Sequence, residues 1–320
     1  MDISGLVEKS VTALGARFAL VGLLPATVFV ILCGFLVLGG APANAPQLGI
    51  VLKAMGAAGP TDAVLLAVAI LLLAVILQPF QTSFVRVLEG YWGSLGPVRF
   101  LSEILASRHR KRRDQVQSEI ERLQTLAASG DTEKTKLGVE AGMLADRLAR
   151  SYPTRKFLPT TLGNVLRAAE ENGGVQYGLD AVTIWPLLYA VLPVRTLALV
   201  DDQRNQLDIA ASFCVMSGLA TVFSCCLLYR HGWWLVVPAA TLLMSWIAYR
   251  GAILGAYSYG VGIKLAIELH RFDLLTALHL PLPGDRDTEV KSNRALSDFL
   301  RQGRPENFKY EHPPRRANGQ

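Results

Sequence analysis

Residues 63–77 read AVLLAVAILLLAVIL, from Ala63 to Leu77 without a charge, a hydroxyl or an amide side chain. A helix at the surface of a soluble protein keeps a polar stripe toward water, so a run that is apolar on every side belongs to a buried or lipid-facing helix. Extended to Val85, this block is long enough to cross about 30 Å of hydrocarbon as a helix. Its peptide groups would then be bonded within the segment, as lipid requires.

Three more blocks repeat the pattern. One covers 18–39 around LVGLLPATVFVILCGFLVLGG (20–40), one 209–228 and one 233–250. Composition agrees: of 320 residues, 51% are hydrophobic and 18% charged, and mean hydropathy is +0.31. An ordinary soluble domain carries about 25% charge, so these values disfavour a simple water-soluble enzyme. Cys33, Cys214, Cys225 and Cys226 all fall inside the blocks and read as small buried hydrophobes, not a disulfide scaffold. Lys9 and Arg17 before the first block and Ala43-Asn44-Ala45 after it outline a cleavable leader. The block exceeds the roughly 7–15 residues of a leader's apolar core, and Pro46 would follow the cut. A retained span is expected.

Basic residues set the orientation. The connection 40–62 holds only Lys53, and the turn between the last two blocks holds Arg230 and His231. Arg86, Arg99, Arg108, Arg110, Lys111, Arg112 and Arg113 crowd the exit of the second block, and Arg250, Lys264 and Arg271 follow the fourth. The expectation is a multi-pass inner-membrane protein with both termini cytoplasmic. Trp233 and Trp234 fit the outer interface, and Tyr91, Trp92, Tyr249, Tyr257 and Tyr259 the inner one. Pro25, Pro79 and Pro238 lie within or beside spans and predict local breaks in helical bonding.

The fold class follows: an all-α integral membrane protein, four spans plus a helical cytoplasmic domain containing an antiparallel helical hairpin. Segment 1–85 carries spans 18–39 and 63–85; 86–208 is the cytoplasmic domain, with its hairpin at 98–152. Spans three and four occupy 209–250, cytoplasmic helices 251–304, and a disordered, proline-containing tail 305–320. Val116, Ile120, Leu123 and Ala127 repeat as an apolar seam, matched by Leu137, Ala141, Leu144 and Leu148. Ser129-Gly130-Asp131 supplies the stop and the next cap. A last amphipathic helix is expected over 286–302, with Val290, Leu296, Phe299 and Leu300 on its apolar side.

Three groups are candidate sites. Arg108, Arg110, Lys111, Arg112 and Arg113, close to a membrane exit, predict contact with anionic lipid headgroups, each worth about 1 kcal/mol. Nearby Asp114, Glu119 and Glu121 disfavour nucleic acid. On a helix His270 and Asp273 share one face, and Glu268 and Arg271 another, an ion-pair or relay cluster with His279 beyond. Tyr177, Asp180 and Trp185 form a candidate pocket, with Asp180 alternatively capping the turn Ala181–Trp185.

The segments LPTTLGNVLRAAEENGGVQYGLDAVTIWP (158–186), LQPFQTSFVRVLEGYWG (77–93) and IELHRFDLLTALHLPLP (267–283) resemble a family of uncharacterised, mostly actinobacterial, four-span membrane proteins. The resemblance implies a kind of protein with no reaction attached.

The chain holds no Walker loop, Gly-x-Ser-x-Gly, Cys-x-x-Cys or His-Glu-x-x-His, and no cofactor or catalytic residue is assigned. The leading reading is a membrane-anchored scaffold or sensor presenting its helical domain to an unidentified cytoplasmic protein. Its rival is a homo-oligomeric channel lined by Ser212, Ser217, Thr221, Ser224, Thr241 and Ser245. A lipid-active enzyme using Glu268, His270 and Asp273 comes third. Gly251-x-x-x-Gly255 permits close helix contact, within one chain or between two.

Overall fold

The computed structural model describes residues 15, 17–92, 96–128, 132–303 and 307–312. Of the described residues 83% are helical, and none is in a strand. In order, the helices are α1 (Phe18–Leu38), α2 (Leu48–Ala57), α3 (Pro60–Glu89), α4 (Gly96–Ala127), α5 (Thr132–Ser151), α6 (Thr161–Asn172), α7 (Ala181–Val191), α8 (Val194–Leu228), α9 (Gly232–Ala277) and α10 (Arg286–Gln302). Of these, α1, α3, α8 and α9 are long and apolar enough to cross a membrane. The chain divides into two units, Met1–Tyr91 with Arg204–Gly255 and Trp92–Gln203 with Ala256–Gln320.

In the first unit the prolines coincide with irregular turns. A wide π-type turn, Phe18–Leu23, precedes Pro25; a tight turn, Gln78–Phe80, contains Pro79; another, Gly232–Leu235, precedes Pro238. Proline lacks the N–H that regular helical bonding needs, so the register adjusts around it. Helix contact in this unit combines large buried side chains such as Leu36, Leu207 and Leu228 with small ones. Ala26, Ala74, Ala211, Ala220 and Ala252 are buried, while Val64, Leu65, Leu72 and Ile76 on α3 stay exposed for lipid. A Cβ on Gly255 would stand 3.1 Å from the Leu207 Cα, and one on Gly251 3.7 Å from the Ala210 Cβ. The Gly-x-x-x-Gly face is therefore used within one chain, between α9 and α8, where it lets the two backbones approach.

Helix α2 lies in the connection 40–62. Its Leu48, Leu52 and Met55, spaced four and three apart, form an exposed apolar stripe, and Val51 on the other side is buried. Ten residues are too few for a span, so hydropathy windows pass over such a helix.

In the second unit α4 and α5 pack together. Ile120, Leu123, Ala141 and Leu148 are buried, and Val116, Ala127, Leu137 and Leu144 are half-buried, so both seams face inward. Ala127 lies 3.9 Å from a Cβ built on Gly138, and at the far end the His109 ring lies 6.0 Å from Tyr152. Ser129–Asp131 lie outside the described residues. The main core of this unit joins Leu179, Ile184, Leu188 and Leu192 to Val200, Ile263, Ile267 and Leu274.

Three features differ from the sequence expectations. Helix α8 begins at Val194, well before the apolar block 209–228. Asp201, Asp202, Arg204 and Asp208 lie in its early turns, and charge hid the helix from a hydropathy reading. On α10 the buried face is Glu289, Asn293, Leu296 and Ser297, whereas Phe299 is exposed; polar residues bury because their partners lie beneath them. Residues 307–312, read as part of a disordered tail, also make contacts. Phe308 meets Phe299 edge-on at 5.3 Å, and the Glu311 N–H donates to the His279 carbonyl (2.8 Å).

Candidate functional site

The cluster expected around residues 268–273 forms, with different partners. Near the C-terminal end of α9, His270 Nδ1 bonds Asp273 Oδ2 at 2.7 Å, and its Nε2 lies 3.1 Å from the Thr196 hydroxyl in the first turn of α8. Arg271 does not pair with the Glu268 carboxylate. Its Nε donates to Glu289 Oε1 of α10 at 2.7 Å, and its Nη1 donates to the Glu268 backbone carbonyl. The Glu268 carboxylate instead accepts from Gln176 Nε2 (3.0 Å) and lies 3.8 Å from Lys264 Nζ. Sequence spacing favoured Glu268 by helix geometry, but a residue eighteen positions away supplies the buried acid.

Arg271 also draws in one member of the expected pocket. Its guanidinium lies 4.1 Å over the Tyr177 ring and 4.3 Å over the Phe272 ring, a stacking that suits the flat, weakly hydrated cation. Both sides of the Arg271–Glu289 pair are nearly withdrawn from water, at 17% and 9% side-chain exposure. Asn293 donates to the Tyr177 carbonyl (2.9 Å). Gly178 holds a left-handed φ of 75°, and a Cβ there would collide with the Val290 carbonyl oxygen. Only glycine lets α10 approach so closely at that conformation.

The other pocket residues are engaged separately. Asp180 occupies the position before α7, but its carboxylate accepts from the Thr183 hydroxyl (2.8 Å) and makes no side-chain cap to the backbone. Its backbone N–H donates to Ser297 Oγ (3.1 Å), and Arg301 lies 3.5 Å from its carboxylate. Trp185 packs against the core and lies 6.2 Å from the Tyr189 ring. Tyr177 and Asp180 thus sit at a joint between α7, α10 and the turn Val175–Tyr177.

The basic run lies on α4. Arg108, Arg110, Lys111 and Arg112 are exposed, while Arg113 pairs with Asp114 at 3.1 Å. His109 turns inward toward Tyr152 and bonds the Pro159 carbonyl. Burial, together with the neighbouring Arg112, holds this imidazole below its ordinary range, against the favourable bond to Pro159. The Arg110 guanidinium lies 5.6 Å over Phe157.

The loop facing this run is fixed by two residues that sequence reasoning assigned no role. Asn164, fully buried, accepts from the Leu158 N–H (2.8 Å) and donates to the carbonyls of Leu158 and Thr160 (2.9 and 2.8 Å). Glu171 Oε2 accepts from the Thr154 N–H and hydroxyl and from the Arg155 N–H, while its Oε1 takes Arg167 Nε (3.1 Å). Burial raises the Glu171 carboxyl, and these donors more than reverse it, leaving it below the usual carboxylate range.

In the first unit, Asp208 is buried and held by Arg17 (3.0 Å) and Arg204 (3.2 Å). Of the hydroxyls expected to line a pore, those of Thr221, Ser224, Thr241 and Ser245 bond within the chain. Thr221 Oγ1 donates to Thr241 Oγ1 (2.9 Å), Ser245 donates to the Cys214 carbonyl (2.9 Å), and Ser224 donates to the Ala220 carbonyl (2.7 Å). Among the described residues no group of three His, Cys, Asp or Glu side chains converges as a metal set. No family model, curated protein or solved structure matches the chain.

Proposed function

We propose that the chain is a membrane-anchored scaffold or sensor, held by four spans, that presents the helices of its second unit to a protein partner in the cytoplasm. The observation that carries this reading is how polar residues are used in that unit. Arg271–Glu289, Asn293–Tyr177, Asp180–Ser297 and Glu171 with Thr154 and Arg155 each join segments distant in sequence. Polar contacts that reach between segments in this way suit a rigid body with a defined surface. The α4–α5 pair then reads as an antiparallel hairpin standing on the cytoplasmic side, as the distribution of basic residues implies. Kinship with the actinobacterial four-span family, on the segments quoted above, belongs to the same proposal.

In-cell photocrosslinking from exposed positions on α5, such as Val139 and Met143, tests it. A discrete crosslinked protein is expected. Crosslinks to lipid alone, together with solute flux through reconstituted vesicles, would replace the scaffold with the channel reading. One observation favours a second alternative, hydrolysis: Thr196, His270 and Asp273 form a hydroxyl–imidazole–carboxylate chain of the kind that activates nucleophiles. Asp273 is 60% exposed, however, whereas the orienting acid of such chains is buried. Absence of Thr196 labelling by a fluorophosphonate would close that reading.

A further inference from the structure

The basic run does not stand alone. The loop 152–159 lies along it, with Tyr152 6.0 Å from His109 and 6.2 Å from Phe157, and with Phe157 beneath Arg110. That loop carries Arg155 and Lys156, both exposed. The fold therefore gathers six outward cations, Arg108, Arg110, Lys111, Arg112, Arg155 and Lys156, from two segments more than forty residues apart. None of the six has a carboxylate partner among the described residues. The nearby acids are engaged elsewhere: Asp114 with Arg113, Asp146 with Arg150, and Glu170 and Glu171 with Arg167. Because Glu171 and Asn164 hold the loop by its backbone, the Arg155 and Lys156 stems leave from a fixed base.

We infer that these six residues form one composite surface for the phosphate groups of anionic lipids, with Arg155 and Lys156 as full members and Arg113 outside it. The inference rests on the membrane-anchored reading above and names a ligand for it. A face of like charges with no internal counter-ions is repelled by itself and stabilised by an external anionic layer. The aromatic floor of Tyr152 and Phe157 offers amphipathic rings of the type that settle at headgroup level. A bilayer is favoured over nucleic acid because the chain is tethered to one, which keeps headgroups at high local concentration. Attraction of this kind acts only within a Debye length, about 8–10 Å at physiological salt.

The test uses the full chain in lipid nanodiscs, with native cysteines replaced by alanine and a donor dye on Ser107→Cys. Trace acceptor-labelled lipid reports approach of this face to the headgroups. Replacing part of the phosphatidylcholine with phosphatidylglycerol is expected to raise energy transfer, and high salt to abolish the rise. Arg155→Gln with Lys156→Gln is expected to weaken the association about 25-fold, at about 5-fold per cation; Arg113→Gln is expected to leave it intact. Transfer that ignores lipid charge, or a rise that survives the double substitution, overturns the inference. So does tight binding of a single-stranded oligonucleotide that prevents the rise, which would assign the face to nucleic acid. A disc exposes both bilayer surfaces, so these outcomes are independent of sidedness in the cell, where the membrane-anchored reading itself is tested.

Discussion

The first unit and the second use polar groups differently, as the proposed division between lipid and water would require. In the first, the hydroxyls of Thr221, Ser224 and Thr241 bond on their own helix or the adjacent span, glycines let α8 and α9 approach, and the long-range polar contact is Arg17 on the buried Asp208. In the second, Arg271, Glu289, Asn293 and Glu171 reach across to distant segments and fix how helices meet. Where lipid surrounds a helix, close backbone approach is what brings two helices together. Where water surrounds it, apolar burial drives association and polar contacts choose among the arrangements.

The largest effect expected from this contrast comes from Arg271. Arg271→Ala leaves the nearly buried Glu289 without its ion-pair partner, which costs about 3–5 kcal/mol. Amide exchange in α10 should accelerate accordingly, and Arg271→Met with Glu289→Leu should restore most of the protection. Next, Gly255→Val forces α8 and α9 apart where a Cβ has 3.1 Å to Leu207, at about 1–3 kcal/mol. Denaturation in detergent should show this loss, and a smaller one for Gly251→Val, whose nearest neighbour is the Ala210 Cβ at 3.7 Å. If the two glycines behaved alike, close approach would not explain the contact.

Much of this organisation was legible beforehand. The four apolar blocks and the seams around Ile120 and Ala141 depend on local periodicity, which a sequence displays directly. The partner of Arg271 was not legible, since helix spacing proposed Glu268 and only the fold brings α10 alongside. Asn164 and Glu171 looked ordinary because their task is to bond backbone groups of a loop, which leaves no pattern in residue types. Asp208 escaped notice for the opposite reason: it sits just before an apolar block, where a charge reads as the end of a span. The early start of α8 was hidden by the same charges.

Smaller effects sharpen the comparison. Thr221→Val removes the bond to Thr241 between spans, worth about 0.6 kcal/mol in lipid, so a detergent melt should move little. Glu171 gives a pH signature confined to the second unit. Its folded carboxyl titrates below the unfolded value of about 4.3. The unfolded chain therefore binds the proton first as pH falls. The stabilisation is complete above that value and is lost as acid titrates the folded group. Glu171→Gln should flatten this part of the acid limb, read by exchange at the Thr154 and Arg155 amides.

The central claim is that four spans separate a short outer connection from a folded inner domain. With Cys33, Cys214, Cys225 and Cys226 replaced by alanine, single cysteines at the exposed positions Lys53 and Ser118 can be challenged with a membrane-impermeant maleimide. In intact cells Lys53→Cys should label and Ser118→Cys should not, until the membrane is permeabilised. Labelling of Ser118→Cys in intact cells, with Lys53→Cys protected, would contradict the account.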